Sequence, residues 1–430
     1  MVAGSGLLHA EEVTSESKQV APSDRLRFGI IGVGMQGSGL LTTAVQLPGV
    51  ECVAAADLYD GRHELAREIV GKPIRTTRRY QELLDAKDID ALIIAVPDHW
   101  HKKAVVDALA AGKDVYCEKP MSHSATDGLE MVAAAAKTDR IVQIGAQRTS
   151  SVLCAKAHEL IQQGAIGELN LIEASYGRND PNGAWEYPLP PDLSPKTVDW
   201  DTWLNGAPSR PFDPKVFARW RCWREFGTGV AGDLLVHLIS GMQRVLGINE
   251  PPVEVSALGG IRRWKDGRDM PDVHMVLFQY KDVPVYMRLT LGSESTEVTR
   301  FMGSKGVIEL REFSVSYTPQ PGEDTAPSYY SGSFPHALRD AYVQQWHNEH
   351  DPAPGKEPAP ETLTWNGNDY DDLRPHLWNF FDASRTRRKI LQDAVFGHHA
   401  ALACHMANES YFRSRPVRWN ASARAIESAS

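Results

Sequence analysis

Three side chains of the types that move protons lie in two short motifs. Lys119 stands in the run Glu118-Lys119-Pro120, and Asp233 and His237 are four residues apart. At that spacing the carboxylate and the imidazole lie on one face of a helix. An ammonium can polarise a hydroxyl oxygen, and an imidazole can take or give its proton near neutral pH. Taken alone, the first motif is more often a solvated strand end, and the second is more often a helix start followed by a satisfied histidine.

A glycine motif near the start of the chain supplies a candidate anion site. Gly32, Gly34 and Gly37 close an apolar run and open a helical stretch, with Met35 and Gln36 between the last two glycines. The first glycine permits a tight turn, the second lets the backbone approach a pyrophosphate, and the third lets the helix pack on the strand. Free N–H groups at the helix N-terminus then face the anion. The pattern predicts a dinucleotide site.

Asp57 ends the next apolar run, about 20 residues after the last glycine of the motif. A carboxylate at this position accepts hydrogen bonds from the hydroxyls of the adenosine ribose and repels a 2′-phosphate. The sequence therefore favours NAD over NADP. A helix-capping role is the alternative for Asp57, and the nearby Arg62 keeps NADP open as the less favoured cofactor.

Apolar runs alternate with helical stretches over the first third of the chain, which predicts an α/β domain with a doubly wound parallel sheet. The predicted strands are Leu26–Val33, Glu51–Asp57, Ala91–Val96, Asp114–Cys117 and Ile141–Ile144, and the predicted helices are Gly61–Val70, His99–Ala111 and Ala125–Thr138. Loops after the strands of such a sheet line the ligand crevice. We therefore expect Pro97, His101 and Glu118 beside the cofactor, and Trp100 beside a substrate.

Beyond about residue 148 the pattern changes to longer strands with short turns, typical of an α+β domain with a large, mostly antiparallel open sheet. The predicted strands are Leu169–Tyr176, Val253–Gly259, Val273–Tyr280, Val283–Leu291, Thr296–Met302 and Val307–Glu312, and the predicted helices are Ala337–Asn348, Pro375–Arg387 and Gln392–Arg413. We predict a Rossmann domain at 25–148 and a second domain at 149–424.

Residues 1–24 differ from both domains. A small and apolar stretch, Val2–Ala10, precedes the polar run Glu11–Ser23. The stretch is similar to the end of an export signal, but no basic region precedes it. The segment is either a disordered tail or the remnant of an export signal, so the sequence leaves both the cytoplasm and the periplasm open.

Composition excludes several classes of protein. The 430 residues carry 46 Lys and Arg against 55 Asp and Glu, a formal net charge of −9. This acidic balance argues against nucleic-acid or membrane partners, because phosphate binding needs concentrated basic side chains. The five cysteines form no CxxC pair and are expected to be buried free thiols. The histidine clusters lack the spacing of metal ligands, so no metal is predicted.

The motifs together resemble the family of glucose–fructose oxidoreductase, inositol dehydrogenase and the rhizopine-catabolism dehydrogenases (Gfo/Idh/MocA). The similar segments are Gly32–Gly37, Pro97–His101, the block from Ala111 to Pro120, and Gly145–Arg148. The resemblance implies an NAD(P)-binding domain followed by an α+β domain whose open sheet often mediates oligomerisation. It also implies that Glu118 and Gln147 lie on the cofactor side, that Lys119 is catalytic, and that substrates are of the sugar type.

The second domain matches the family only in part. The usual pattern Asp-x-Gly-x-His-x-x-Asp keeps Asp233 and His237, but Leu235 replaces the glycine and Ser240 replaces the second aspartate. These departures put the substrate's identity in doubt. A Trp- and Arg-rich block resembles a subgroup of exported bacterial members that includes NAD-dependent glycosidases. Aromatic and guanidinium groups suit sugars, so the candidate substrate residues are Trp100, Arg148, Trp220, Arg221 and Arg224.

The sequence therefore predicts an NAD(P)-dependent oxidoreductase that transfers a hydride from a hydroxyl of a sugar, glycoside or polyol. His237 is the preferred base and Lys119 the polarising group, although the two roles could be exchanged. A glycosidase that uses tightly bound NAD for oxidation, elimination, hydration and reduction is the first alternative. A non-catalytic NAD-binding sensor is the second. A homo-oligomer, dimer or tetramer, is expected.

Overall fold

The computed structural model describes residues 6–8, 25–320, 328–350, 361–367 and 372–429. Two β-sheets organise this part of the chain, one of six strands and one of eleven. None of its helices is long and apolar enough to cross a membrane. The fold class predicted from the sequence is confirmed, with a parallel sheet first and a mostly antiparallel sheet after it.

The first strand in the chain, β1 (Gly6–Leu8), pairs at the edge of the larger sheet. The smaller sheet contains β2 (Leu26–Ile31), β3 (Val50–Ala56), β4 (Arg75–Thr77), β5 (Ala91–Ile94), β6 (Asp114–Cys117) and β7 (Val142–Ile144). All of its pairings are parallel, in the order β4-β3-β2-β5-β6-β7. Its helices are α1 (Met35–Ala44), α2 (Gly61–Val70), α3 (Gln81–Asp85), α4 (Asp98–Ala110) and α5 (Ala125–Ala135). The sequence missed β4 because its three residues are polar and partly exposed.

The larger sheet forms most of the second domain. Its strands are β8 (Leu169–Gly177), β9 (Glu254–Gly260), β10 (Val273–Gln279), β11 (Pro284–Thr290), β12 (Ser295–Gly303), β13 (Gly306–Arg311), β14 (Ser314–Pro319), β15 (Leu363–Gly367), β16 (Val417–Asn420) and β17 (Ala425–Ser428). The order is β1-β15-β14-β13-β12-β8-β11-β10-β9-β16-β17, antiparallel except for the pairs β8 with β11 and β1 with β15.

Within the described residues, helices cover one face of this sheet and leave the other open. The helices of this part of the chain are α6 (Val152–Gln162), α7 (Trp200–Trp203), α8 (Pro214–Ala218), α9 (Val236–Leu246), α10 (Ser328–Ser331), α11 (His336–His350), α12 (Leu373–Thr386) and α13 (Ala394–Arg413). Apolar residues of α6, α9 and α13 form one core with the inner face of the sheet. On the opposite face, Leu258, Met275 and Leu277 are exposed, because side chains alternate along each strand.

The helix α12 packs against the first domain although it lies late in the chain. Leu377, Phe380 and Phe381 are fully buried against the core under α1. The rings of Phe381 and Phe28 have centroids 5.3 Å apart. The boundaries 25–148 and 149–424 remain a prediction. The packing of α12 shows that the core of the first domain includes an element from beyond residue 148.

A long connection, residues 178–226, crosses from the second domain over the first; we call it the strap. Its backbone forms a β-bridge between Val198 and Tyr59. The Asp60 N–H donates to the Thr197 carbonyl at 3.0 Å, and the Asp199 N–H donates to the Leu58 carbonyl at 2.9 Å. An apolar cluster completes the attachment and contains Tyr59, Val198, Trp200, Trp203, Leu204, Val216, Phe217 and Phe226.

The cysteines and the N-terminal segment are two smaller features of the fold. All five cysteines are buried and free, as predicted. Within the predicted tail, Gly6–Leu8 forms β1 and pairs in parallel with Leu363–Gly367. The remainder of the predicted tail, up to residue 24, lies outside the described residues.

Candidate functional site

The glycine motif forms a turn that leaves room for an anion. Gly32 has φ +89°, and a Cβ there would lie 2.6 Å from the Ala95 carbonyl oxygen. A Cβ on Gly37 would clash with the carbonyl of Gly32, so the helix can pack here only without a side chain. The helix α1 starts directly after Gly34, and its first N–H groups are available. This cradle fits a dinucleotide pyrophosphate.

Asp57 is held at the end of β3 by backbone donors. Its Oδ2 accepts from the Val33 N–H at 2.8 Å, and its Oδ1 accepts from the Tyr59 N–H at 3.0 Å. Nη1 of Arg62 lies 3.5 Å from Oδ2. Asp57 therefore shapes the turn after β3 and lines a small pocket where an adenosine ribose would lie. It does not cap α2, whose N-cap residue is Asp60, so the helix-capping alternative is wrong. Arg62 lines the same pocket.

Glu118 is the centre of a buried hydrogen-bond network at the other end of the cleft. Its Oε1 accepts from Gln147 Nε2 at 2.9 Å, from Gln36 Nε2 at 3.1 Å and from the Tyr116 hydroxyl at 3.2 Å. Burial raises the pKa of Glu118, and the neighbouring Lys119 opposes the rise. The network joins the glycine loop to the strand end that carries Lys119.

Lys119 and Asp233 form a short ion pair across the two domains. The Lys119 ammonium donates to Asp233 Oδ1 at 2.9 Å and to the Asp233 carbonyl oxygen at 2.8 Å. Arg221 Nε donates to the same Oδ1 at 3.1 Å. Burial alone would raise the pKa of Asp233, but the charges of Lys119 and Arg221 outweigh it and hold that pKa well below its ordinary value. Asp233 is therefore an ionised partner that orients Lys119.

A π-helical turn presents Asp233 to the first domain. It spans Ala231–Leu235 and continues directly into α9. Gly232 lies inside this turn, where a Cβ would clash with Thr228 and come within 2.9 Å of the Pro120 ring. Single π-helical turns inside helices are frequent at functional sites. The absence of a side chain at Gly232 lets the turn approach the loop after Lys119.

His237 follows on the same helix and is the candidate base. Burial lowers the pKa of His237 well below its ordinary value, and the charges of Lys119 and Arg148 lower it further. The imidazole is therefore neutral near pH 7, the form that accepts a proton. Of the two positions that depart from the family pattern, Leu235 is fully buried in the core, and Ser240 donates to the His237 carbonyl at 3.2 Å.

Trp185 of the strap holds the second oxygen of Asp233. Its indole Nε1 donates to Asp233 Oδ2 at 2.9 Å, and the side chain is fully buried. Its backbone has φ +67°, a left-handed conformation that costs about 1–2 kcal/mol for a residue with a Cβ. Arg268 supports this loop by donating to the Ala184 carbonyl at 2.8 Å.

Two adjoining cavities meet at His237. The cofactor cleft, about 710 Å³, runs from Gly34 past Glu118 and Lys119 to His237, and the strap forms its other wall. The second cavity, about 430 Å³, lies on the far side of His237; we call it the outer chamber. Gln147, Arg178, Leu234 and His237 line both cavities. A group bound at His237 is thus accessible from both sides.

Most of the predicted site residues line these spaces. The cofactor cleft contains Gly34, Met35, Gln36, Arg62, Pro97, Glu118, Lys119, Gln147, Trp220, Arg221, Asp233 and His237. Gly32 and Asp57 line the adjoining small pocket, and Arg148 lines the outer chamber. The ring of Trp220 lies under the Arg221 guanidinium, with Cζ 4.2 Å from its centroid.

Three predicted contact residues lie elsewhere. Trp100 is buried beside the small pocket, where its Nε1 donates to the Trp203 carbonyl at 2.9 Å, so it does not face the His237 region. The His101 ring bridges the carbonyls of Val96 and Pro120 and supports the loops from behind. Arg224 is exposed and pairs with Glu409 at 2.8 Å, because its turn faces α13.

Several residues of the site could not be predicted from the sequence. Trp185, Arg178, Tyr176 and Glu297 lie on the strap, β8 and β12, and only the tertiary fold brings them to Asp233 and Arg148. Trp185 stands in a Pro- and Asp-rich segment that suggests only a loop. The Trp- and Arg-rich block around Trp220 and Arg221 also lies on the strap, but it does not predict a role for Trp185.

Two family models match the chain in succession. The first, described as oxidoreductase family, NAD-binding Rossmann fold, matches residues 26–146. The second, described as GFO/IDH/MocA C-terminal domain, matches residues 202–309. The chain belongs to this Gfo/Idh/MocA oxidoreductase family. Its first domain is an NAD-binding Rossmann domain, as the glycine motif predicts.

Curated relatives match mainly in the first domain. Inositol 2-dehydrogenase of Salmonella typhimurium is 34% identical over 153 residues, which are 35% of this chain and 46% of that protein. The match thus spans about half the length of that relative. Trans-1,2-dihydrobenzene-1,2-diol dehydrogenase of Sus scrofa is 25% identical over 290 residues, 66% of this chain and 74% of that protein.

Solved structures match over nearly the whole chain. Levoglucosan dehydrogenase in complex with NADH and levoglucosan has a TM-score of 0.63 at 18% identity, covering 92% of this chain and 99% of that chain. Aldose-aldose oxidoreductase from Caulobacter crescentus has a TM-score of 0.64 at 19% identity, with the same coverage. At this identity the likeness shows the fold.

Proposed function

We propose that the protein is an NAD-dependent oxidoreductase that removes a hydride from a hydroxyl-bearing carbon of a sugar, glycoside or polyol. The observation that carries this proposal is that Lys119, ionised Asp233 and neutral His237 line the same cofactor cleft, with His237 also lining the outer chamber. If the Lys119–Asp233 ion pair had only a structural role, it would require neither the neutral imidazole of His237 in the same cleft nor the two cavities that His237 lines.

Each of the three side chains has a distinct role in this proposal. His237 accepts the proton of the substrate hydroxyl. Lys119 donates a hydrogen bond to the same oxygen and stabilises the negative charge that develops there. Asp233 keeps Lys119 charged and oriented. When bound, NAD supplies the hydride acceptor.

NAD is the proposed cofactor in preference to NADP. The Asp57 carboxylate lines the pocket for the adenosine ribose and would repel a 2′-phosphate. Arg62 reduces this repulsion, because its guanidinium lies 3.5 Å from the carboxylate. We expect NAD to bind more tightly than NADP, and Asp57→Ala to narrow the difference, as measured by titration of both nucleotides.

The test of the proposed activity is an NADH-linked screen of sugars, glycosides and polyols with the nucleotide that co-purifies. Lys119→Met is expected to lower turnover by about 10²–10⁴-fold, the usual contribution of such a group. Lys156→Met is the matched control, because Lys156 also pairs with a carboxylate, Glu159, but on α6. Full turnover by Lys119→Met would refute the assignment, and inactivity of the wild type with every compound would favour a sensor.

The strap favours a second candidate, a glycosidase that keeps its NAD bound. The strap walls the cofactor cleft and is tied to the first domain by the Val198–Tyr59 bridge, backbone hydrogen bonds and an apolar cluster. An enclosed cofactor suits a cycle in which the hydride returns to the sugar. Release of free sugar from a glycoside without added NAD would support this candidate, and stoichiometric NADH accumulation would support the dehydrogenase.

We also propose a homo-oligomer, dimer or tetramer, joined through the open sheet. Leu258 on β9 stands directly opposite Met275 on β10, and Leu277 lies two residues further along β10. Their exposed fractions are 75%, 40% and 58%. Contiguous apolar side chains on an open sheet face favour association.

A further inference from the structure

The outer chamber differs in chemistry from the cofactor cleft. Its deep wall carries Arg148, which donates to Glu297 Oε2 at 2.8 Å and lies 3.9 Å from Asp372 Oδ2. Its outer wall carries Glu312 and Phe313, on the turn between β13 and β14. Its walls therefore come from elements far apart in the chain, which the fold assembles around one space.

The outer wall combines a free acceptor with an open aromatic face. The ring of Phe313 is part of a side chain that is 57% exposed. Glu312 is exposed and has neither a hydrogen-bond nor an ion-pair partner within the part of the chain that the structure describes. Apolar C–H faces of sugars stack on aromatic rings, and carboxylates accept hydrogen bonds from hydroxyls. These two residues provide both kinds of contact side by side.

The balance of charge in the outer chamber excludes one class of ligand. Glu297, Glu312 and Asp372 provide three carboxylates, whereas Arg148 and Arg178 provide two cations. Arg148 is engaged by the deep carboxylates, and Arg178 Nε donates to the Tyr176 hydroxyl at 3.0 Å. A phosphate or a nucleotide bound at the outer wall would lie against the Glu312 carboxylate, which repels its negative charge. An uncharged, hydroxyl-rich group fits this wall.

The outer chamber has the volume of a complete ligand site of its own. Its 430 Å³ lies within the range of about 300–1,000 Å³ typical of sites for drug-sized ligands. The cofactor cleft on the other side of His237 has its own 710 Å³ for the dinucleotide. A ring that reacts at His237 thus leaves space toward Phe313 for a second unit.

From these observations we infer that the substrate is a two-unit glycoside, with its reacting ring at His237 and a second, uncharged sugar unit between Glu312 and Phe313. The inference rests on the proposed function and specifies its substrate. It excludes sugar phosphates and nucleotide sugars as preferred substrates. Glu312 and Phe313 act as specificity-determining residues and take no part in the hydride step.

The experiment compares each hexose that reacts with the disaccharide that carries the same hexose at its non-reducing end. Reduction of bound NAD in a single turnover is the readout, which serves both candidate functions. We expect the disaccharide to have a KM at least about tenfold lower than that of the hexose, with similar maximal rates. Glu312→Gln combined with Phe313→Ala is expected to remove this difference by raising the KM of the disaccharide alone.

Tyr330→Ala is the control, since Tyr330 is a 72% exposed aromatic residue on α10. It should change neither KM. Equal or better use of the hexose by the wild type, or equal losses for both compounds in the double variant, would overturn the inference and leave the dehydrogenase proposal standing. If neither compound reduces the cofactor, the proposed function fails, and titration of binding by tryptophan fluorescence decides the inference. Tighter binding of the disaccharide that is lost in the double variant supports it, and equal or absent binding overturns it.

Discussion

His237 has the environment of a base that works below neutral pH. Burial lowers its pKa well below the ordinary value, with Lys119 and Arg148 adding to the effect. A neutral imidazole accepts a proton, and an imidazolium does not. The neutral form is therefore present above the lowered pKa and is lost only when the pH falls through it.

This environment predicts the pH dependence of the hydride step. The ordinary pKa of histidine is about 6.5. We expect kcat/KM to show no acid limb near this pH and to fall only at lower pH. The measurement is kcat/KM against pH with a reacting sugar. Arg148→Gln removes one of the charges that lower the pKa, so its limb should move toward higher pH. An unchanged profile in that variant would contradict the electrostatic explanation.

The hydrogen bond from Trp185 to Asp233 leads to a second prediction about the pH dependence of activity. Trp185→Phe keeps an aromatic ring but removes the donor to Asp233 Oδ2. A hydrogen bond to a charged group contributes about 1.5–3 kcal/mol, so we expect kcat/KM to fall by about tenfold or more and the pKa of Asp233 to rise. Asp233 must be ionised to hold Lys119. As the pH is lowered, the activity of the variant should therefore begin to fall at a higher pH than the activity of the wild type.

The matched control for this variant is Trp264→Phe. The Trp264 indole donates to the Leu291 carbonyl at 2.6 Å, so this variant also loses an indole hydrogen bond. Trp264 lies outside both cavities. Its kcat/KM and pH profile should match the wild type. If Trp185→Phe differs from the wild type only in thermal stability, Trp185 is structural and the prediction is wrong.

Among the elements, the strap forms one wall of the cofactor cleft, and we expect its attachment to affect release of the cofactor. The Tyr59 hydroxyl donates to the Asp192 carboxylate of the strap, and neither residue lines the cleft or the small pocket. Tyr59→Phe should therefore loosen the strap without touching the bound cofactor. We expect faster dissociation of NAD, by up to about tenfold, as measured by stopped-flow displacement.

Tyr317→Phe is the control for the strap, because its hydroxyl donates to the Ala165 carbonyl inside the second domain at 2.9 Å. Its NAD dissociation should equal that of the wild type. Equal rates for Tyr59→Phe and wild type would show that strap opening does not limit release of the cofactor, and would weaken the argument for a retained cofactor.

The elements also explain which parts of the site the sequence could reveal. Gly32 and Lys119 follow the ends of parallel strands, and the ends of such strands form one edge, so local pattern and topology together place them. Gly37 lies in the first turn of α1, where the glycine motif places it. Asp233 and His237 share one helix. Trp185 and Glu297 lie on a strap and on a strand whose pairing is set by long-range contacts. The local hydrophobic pattern of the sequence therefore does not predict those contacts.

Arg224 shows the opposite failure. It stands three residues from Arg221 in the same Trp–Arg block, yet only Arg221 reaches Asp233. A short 3₁₀ turn, Trp220–Cys222, ends between them and sends the two guanidinium groups to opposite sides. Composition identified the block, and the local backbone decided which arginine contacts the site.

For the whole molecule, the open face of the larger sheet predicts self-association. Leu258→Lys combined with Leu277→Lys places two like charges on this face, where packed apolar side chains are needed. We expect the double variant to be monomeric by light scattering at concentrations where the wild type is an oligomer. Leu338→Lys, on the exposed side of α11, is the control and should leave the mass unchanged. A monomeric wild type would contradict the prediction.

The return of α12 to the first sheet has a consequence for the synthesis of the protein. The Rossmann strands leave the ribosome early, but Phe28 acquires its partner Phe381 only after more than three hundred further residues have been translated. Until then the nascent first domain carries an uncovered apolar seam. The order of translation therefore places the completion of this domain after that of the second sheet, β16 and β17 excepted.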